Sequence, residues 1–194
     1  MRIVAGTWKG RLIAAPKGQE TRPTSDRVRE ALFNSLSARL GADLGGAVVL
    51  DLFAGTGALA LEALSRGATR AVLVEKDRTA LQVIAQNVAS LEASDRVTIV
   101  PMSAIGAGIE RVSKHGPFTL LFCDPQYRID QTRVASTLVR LGEAGAVEFG
   151  AALAWEHAGG TKVPEAEGFA RESDYKYGDT AITLLRYYGE GRKR

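Results

Sequence analysis

The chain is poor in the residues that staple or metallate a fold. One cysteine and two histidines occur among its 194 residues. A single cysteine excludes an internal disulfide. Cys123 closes the apolar run Phe118-Thr-Leu-Leu-Phe-Cys123, a setting that reads as core rather than as that of a nucleophile. His115 and His157 stand in no ligand spacing, so neither a metal nor general-base duty is favoured. No apolar run approaches the ~20 residues of a membrane span. The opening Met1-Arg-Ile-Val-Ala-Gly-Thr-Trp-Lys9 has no signal-peptide apolar region. The expectation is a cytoplasmic protein without a membrane or a metal. Internal repeats and low-complexity stretches are also lacking, which leaves one domain or one domain with a small appendage.

A strong excess of one charge is missing too: the formal net charge is +3. Its distribution is uneven. Residues 1–40 hold eight Lys/Arg against three acids, and residues 186–194 hold four against Glu190. The body between them is therefore acidic. Basic ends on an acidic body suit a polyanion docking at one side; the plain alternative is a pair of solvated ends. With 45% hydrophobic and 24% charged residues, the chain has enough apolar content for a full core.

Residues 2–5 and 11–15 are short apolar-rich runs around Gly6-Thr-Trp-Lys-Gly10 and read as a hairpin. Thr24 or Ser25 can cap a helix to about Leu40, with Val28, Leu32, Phe33 and Leu36 inward. This extension, residues 1–45, precedes a main domain over 46–188 and a basic tail over 189–194. In the main domain, strands and helices alternate. Strands are expected at 47–52, 70–75, 97–101, 118–123 and 151–156, and helices at 58–66, from Asp77 to about Leu91 with Leu81, Ile84, Ala85 and Val88 inward, at 104–113, and at 130–141. Such alternation predicts an α/β fold, a parallel sheet covered on both faces. Residues 169–176 and 180–187 flank Tyr177-Gly-Asp179 and read as an antiparallel hairpin.

The most informative stretch is Asp51-Leu-Phe-Ala-Gly-Thr-Gly-Ala58, which follows the apolar run Ala47-Val-Val-Leu. Strand, glycine turn, helix and a second strand ending on Glu75 form a nucleoside-cofactor arrangement: glycines admit the ligand, and the acid accepts from ribose hydroxyls. The third glycine of the dinucleotide fingerprint is absent, and an acid stands before the loop instead. Asp51 would repel a pyrophosphate but suits a cation. S-adenosylmethionine carries a sulfonium and an ammonium. The Asp51-x-Phe53-x-Gly55-x-Gly57 pattern resembles the first motif of class I methyltransferases, and Glu75 matches their ribose-binding acid. Five parallel strands with a terminal hairpin resemble their seven-stranded sheet.

A second chemical motif, Asp124-Pro-Gln-Tyr127, follows the fourth predicted parallel strand. Ligands gather at the carboxyl ends of strands in open α/β sheets, so one crevice is expected to hold Asp51, Glu75 and Asp124. The tetrad resembles the [DN]-P-P-[YF] motif of enzymes that methylate exocyclic amines of nucleobases. Such an amine is a poor nucleophile because its lone pair is delocalised into the ring. The Asp124 carboxylate and the Pro125 carbonyl can hold its two N–H groups and redirect the lone pair, while Tyr127 stacks on a base flipped out of its helix. Displacement of this kind depends on positioning and needs no metal. Gln126 replaces the usual second proline and frees Pro125 from the restriction on a residue before proline.

Arg22-Pro-Thr-Ser-Asp-Arg-Val-Arg-Glu-Ala-Leu-Phe-Asn34 closely resembles the signature R-P-T-x-D-x-x-R-E-x-L-F-N of bacterial 16S rRNA guanine-N2 methyltransferases, the RsmD-like group. The opening Met1 to Leu12 and the closing Tyr177-Gly-Asp-Thr180 match as well. The resemblance implies a Rossmann-like class I fold with a small N-terminal hairpin and helix, S-adenosylmethionine as cofactor, and 16S rRNA or a small-subunit assembly intermediate as partner of a monomeric enzyme. It implies cofactor contacts from Asp51, Phe53, Ala54, Gly55, Gly57, Glu75, Lys76, Ser103, Ala104 and Asp124, and catalysis by Asp124, Pro125 and Tyr127. Arg22, Arg27 and Arg29 are candidate phosphate contacts or a helix's solvated face, Trp8 is a candidate stacking ring, and Trp155 reads as core. Two other readings stay open: a DNA amino-methyltransferase, and a non-catalytic RNA-binding or ribosome-assembly factor that keeps the fold. A Rossmann oxidoreductase is disfavoured by the missing glycine.

Overall fold

A computed structural model describes residues 1–15, 26–40 and 44–189. Arg22 and the capping candidates Thr24 and Ser25 lie outside the described residues, as does the tail from residue 190. Among the described residues, no helix is long and apolar enough to cross a membrane. The elements run α1 (Asp26–Leu40), β1 (Val48–Asp51), α2 (Ala58–Ser65), β2 (Arg70–Glu75), α3 (Arg78–Ser90), β3 (Val97–Pro101), β4 (Phe118–Cys123), α4 (Gln131–Glu143), β5 (Val147–Ala158), β6 (Phe169–Tyr177) and β7 (Thr180–Tyr187). The strands form a seven-stranded, mostly parallel sheet in the order β3-β2-β1-β4-β5-β7-β6. The chain divides into two compact units, Met1–Met102 and Ser103–Arg194.

In the first unit, β1 pairs parallel with β2, setting Asp51 opposite Leu73, and β2 pairs parallel with β3, setting Glu75 opposite Pro101. Val49, Leu50 and Val72 to Val74 are buried, as continuous apolar strands of a covered parallel sheet should be. Helix α2 packs on β1 and β2, and α3 on β3. Asp77 caps α3 by accepting from Ala80 N at 2.9 Å. Ile84 and Val88 point inward, but Ala85 is exposed and Asn87 takes the buried place beside them.

The N-terminal hairpin keeps its shape with little ladder. Arg2 and Leu12 form its one bridge, with Ile3 N donating to Arg11 O at 3.0 Å. The next residues are claimed by α2 instead. Val4 N and Ala5 N donate to the Glu62 carboxylate at 2.7 and 3.0 Å, and Ser65 Oγ donates to Ala5 O at 2.6 Å. Glu62 is wholly buried in a helix that is otherwise apolar up to its closing Ser65. It also accepts from Arg66 Nε at 2.8 Å and lies 3.7 Å from Arg29 Nε. Arg29 is 1% exposed, and its guanidinium also reaches Arg2 O at 2.6 Å and Asp26 Oδ1 at 2.7 Å. The expectation that Arg29 faces a phosphate is therefore corrected. It sits on the same inward stripe as Leu32, Phe33 and Leu36, and its charge is spent inside the protein.

In the second unit, β4 pairs parallel with β5, and β7 runs antiparallel to both β5 and β6. The terminal hairpin is as expected. Strand β5 is longer than 151–156, because a register shift between Phe118 and Leu120 lets Val147 pair across Gly150 and the exposed Phe149. The helix expected over 104–113 is a short 3-10 segment, Ile109–His115. Ser103 Oγ accepts from Ile105 N at 3.1 Å and donates to Ile105 O at 2.8 Å, a local closure that competes with helix initiation. Trp155 and Cys123 are core, as read from the sequence.

Removing one member of a buried charge cluster strands the others, at a cost of about 3–5 kcal/mol. Glu62→Ala should lose stability of that order in urea unfolding, and Arg29→Met should also be destabilised. A loss below about 1 kcal/mol for Glu62→Ala would show that the cluster does not hold the hairpin.

Candidate functional site

The first unit's site begins where β1 ends. Asp51 is followed by the turn Leu52 to Gly57, closed by Gly57 N donating to Ala54 O at 2.6 Å and tied to β2 by Ala54 N donating to Val74 O at 3.1 Å. Gly55 and Gly57 both have positive φ, 55° and 79°. Their tasks differ. A side chain at Gly57 would meet Leu73 Cδ2 at 3.0 Å, so Gly57 serves packing, whereas one at Gly55 would meet only Phe53 O, at 3.9 Å. Gly55 leaves open space beside the loop, the room a ligand needs.

Glu75 binds that loop directly. Its Oε2 accepts from Gly55 N at 2.9 Å, and its Oε1 accepts from Lys76 N and Asp77 N at 2.7 and 2.8 Å. A carboxylate has about four acceptor positions, so capacity remains for a ribose hydroxyl. Lys76 is exposed beside it, and Phe53 is half-buried. The loop's other face is held by Asn87, whose Nδ2 donates to Thr56 O at 2.9 Å and to Ala14 O at 3.1 Å while its Oδ1 accepts from Ala14 N at 2.7 Å. One buried amide thus fixes the cofactor loop and the end of the N-terminal hairpin together. The sequence held a signal for it: Asn87 lies three residues beyond Ile84, on the stripe that the helix period turns inward.

Asp51 has the opposite character. It is 1% exposed, and neither carboxylate oxygen has a hydrogen-bond partner. Its pKa is raised from the usual 3.8 to about 7. Burial is the main cause; the Phe53 N–H works against it, the nearby Glu75 charge adds to it, and the Ala60 N–H again opposes it. An orphaned buried acid, four residues before an open glycine, is an acceptor that an ammonium donor completes and a pyrophosphate does not. These residues fit S-adenosylmethionine.

The second unit carries the tetrad directly after β4. Asp124 is half-buried, Pro125 is buried, and Gln126 and Tyr127 are exposed, Tyr127 at 47%. Gln126 O accepts from Ile129 N at 2.8 Å, and the Tyr127 hydroxyl bonds that of Thr180 at 3.0 Å. Before β4, the Ser103–Gly106 turn is pinned to α4: Thr137 Oγ1 donates to Ala104 O at 3.0 Å, and Arg140 Nη1 to Gly106 O at 2.5 Å. Ala104 is buried and Ser103 is half-buried. His157 is buried against Thr183 at 3.0 Å, so it is a satisfied core histidine. Of the candidate RNA contacts, Arg27 is exposed. Trp8 is half-buried, with the Arg96 guanidinium 5.4 Å from its ring centre.

A mostly parallel seven-stranded sheet, a glycine turn flanked by acids, and no third glycine define an S-adenosylmethionine-dependent methyltransferase of class I. The chain belongs to the family described as Conserved hypothetical protein 95, which it matches over residues 1–186. It is 32% identical over 190 residues to YlbH of Bacillus subtilis, covering 97% of this chain and all of that one, a protein provisionally named an rRNA methyltransferase. It is 41% identical over 128 residues to ribosomal RNA small subunit methyltransferase D of Escherichia coli, covering 66% of this chain and 61% of that protein. Among solved structures, the Escherichia coli protein yhhF, provisionally described as a methyltransferase, superposes with a TM-score of 0.81 at 33% identity, covering 98% of this chain and 99% of its own.

The raised carboxyl of Asp51 sets a pH dependence with a definite sign. Its folded pKa lies above the unfolded one, so its contribution to stability is complete below about pH 4 and is lost as pH rises through about 7. The difference converts to at most about 4 kcal/mol. Asp51→Asn should therefore raise the unfolding midpoint of the ligand-free protein at pH 8 and flatten its decline between pH 5 and 8. The same variant should lose cofactor affinity in calorimetry. Wild-type affinity should weaken below about pH 7, where the acid must first ionise. An Asp51→Asn protein less stable than wild type at pH 8 contradicts the assignment.

Proposed function

We propose that this methyltransferase transfers a methyl group to the exocyclic N2 amine of a guanine in 16S ribosomal RNA. The observation that carries the reading is the tetrad at the end of β4: a half-buried Asp124, a Pro125 carbonyl beside it, and an exposed Tyr127 ring. The small-subunit rRNA methyltransferase among the relatives supports the substrate class.

S-adenosylmethionine, when bound, supplies the electrophilic methyl group. Asp51, Phe53, Ala54, Gly55, Gly57, Glu75, Lys76, Ser103 and Ala104 are the residues assigned to hold it. Asp51 takes the cofactor's ammonium as the ionic partner it lacks in the fold, Gly55 gives the space, and Glu75 its remaining acceptor capacity. The Asp124 carboxylate and the Pro125 carbonyl hold the two N–H groups of the amine, turning its lone pair out of conjugation. As the nitrogen gains its new bond it sheds a proton, and Asp124 is already the acceptor for one. Tyr127 receives the extruded base on its ring face, an interaction worth ~1–3 kcal/mol in single-strand binders. Pre-orientation of two reactants is enough for such a displacement, so the reading includes a metal-free, monomeric enzyme acting on rRNA or an assembling small subunit in the cytoplasm. Arg27 and Trp8 are assigned to the RNA. Arg22, outside the described residues, is retained as the same kind of contact on its sequence motif alone.

Asp124→Ala should abolish methyl transfer to 16S rRNA and reduce cofactor affinity far less than it reduces turnover. Digestion of the wild-type product should yield N2-methylguanosine. Label recovered in another nucleoside, or full turnover by Asp124→Ala, rejects the reading. Charge reversal at Arg27 should weaken RNA binding and reduce the log–log salt slope by roughly 0.7–0.9, one phosphate's worth. An unchanged slope would remove Arg27 from the interface.

A further inference from the structure

The closing motif Tyr177-Gly-Asp-Thr180 supplies no group to the proposed reaction. Its last residue has a direct link to one that does: Thr180 Oγ1 lies 3.0 Å from Tyr127 Oη, across 53 positions of sequence. We propose that Thr180 is a positioning residue, whose hydroxyl holds the Tyr127 ring in the orientation that receives the target base. The inference rests on the reading of Tyr127 as the stacking ring.

The two ends of this hydrogen bond differ in rigidity. Thr180 is the first residue of β7 and pairs with Ala158 of β5 on one side and Tyr177 of β6 on the other. The turn before it is tied back by Gly159 N donating to Asp179 O at 2.7 Å. Branching at Cβ restricts χ1, so the hydroxyl aims in one direction. Tyr127 stands instead on the turn after β4 and is 47% exposed. An exposed tyrosine with two free torsions samples several rotamers, and a base that stacks on it must first pay for ordering it. Anchoring the ring at its hydroxyl end removes that cost and leaves the ring face open. The tether thus gives the closing hairpin a task in substrate binding, and it explains why a hydroxyl-bearing residue stands where any strand former would continue β7.

The test is a double-mutant cycle on methyl transfer to transcribed 16S rRNA, using Tyr127→Phe, Thr180→Val and the pair, with Thr180→Ser and Tyr127→Ala as controls. Valine keeps the shape of threonine and removes only the hydroxyl. Each single variant should lose about three- to tenfold in kcat/KM for RNA, the factor to which a net hydrogen bond converts. The double variant should lose no more than either single one. Thr180→Ser should stay within about twofold of wild type, and Tm and the KM for cofactor should be unchanged throughout. Additive losses, or a Thr180→Val enzyme with wild-type kcat/KM beside a crippled Tyr127→Ala, would overturn the tether while leaving Tyr127 its role. A Thr180→Val protein that melts lower but turns over normally would make the contact structural, which also overturns it. Full activity in Tyr127→Ala would remove the stacking role itself, and the tether with it.

Discussion

The site depends on one carboxylate that the fold leaves without a partner. Asp51 ends a strand buried on both faces, and neither of its oxygens has a well-formed hydrogen bond, although the Phe53 and Ala60 N–H groups face it. Burial of an acid this way is costly, and the protein answers by keeping the carboxyl protonated until about pH 7. A group held in that condition gains from any cationic donor that reaches it. On the proposed assignment to Asp51, the cofactor's ammonium contributes both its own interaction and relief of the burial penalty. The same acid disfavours a pyrophosphate, so one residue argues for one cofactor class and against another.

Two other acids, Glu62 and Glu75, show that this is not carelessness in the fold. Glu62, wholly buried, receives two backbone N–H groups and an arginine. Glu75 receives three backbone N–H groups and so fixes the glycine loop. These two hold structure, whereas the Asp51 oxygens are tied to no other part of the fold. The distinction links the N-terminal segment to the cofactor loop. Glu62 fastens Val4 and Ala5 to α2, the helix that the loop opens, and Asn87 ties Ala14 to the loop itself through Thr56. The segment that carries the chain's basic excess is therefore anchored to the elements that shape the cofactor site.

Much of this was legible in the sequence because it follows from period and position. Continuous apolar runs gave the buried strands, Asp77 gave the start of α3, and the acids at the ends of β1 and β2 gave the cofactor class. What was not legible depends on tertiary partners. Arg29 read as a phosphate contact or a solvated cation, and its inward place rests on Asp26, the Arg2 carbonyl and the buried Glu62, the last more than thirty positions away. Ala85 fitted the apolar stripe that Asn87 occupies, since hydrophobicity alone cannot see an amide satisfied by two backbones. The helix expected after residue 103 gave way to a local closure by Ser103, and the start of β5 was hidden by a register shift around Gly150. Thr180 carried no signal beyond its motif, because its link to Tyr127 spans 53 positions.

The central claim is that Asp51 is an unpaired acid in the free protein and a paired one with cofactor bound. Carbon-13 NMR of the labelled aspartate carboxyls, followed across pH with and without S-adenosylhomocysteine, measures this directly, with Asp51→Asn supplying the resonance assignment. The account predicts that the Asp51 carboxyl titrates near pH 7 in the free protein and moves down toward the ordinary carboxylate range, around 4, when the ligand binds. A carboxyl that already titrates near 4 in the free protein, or one that the ligand leaves unmoved, would contradict it.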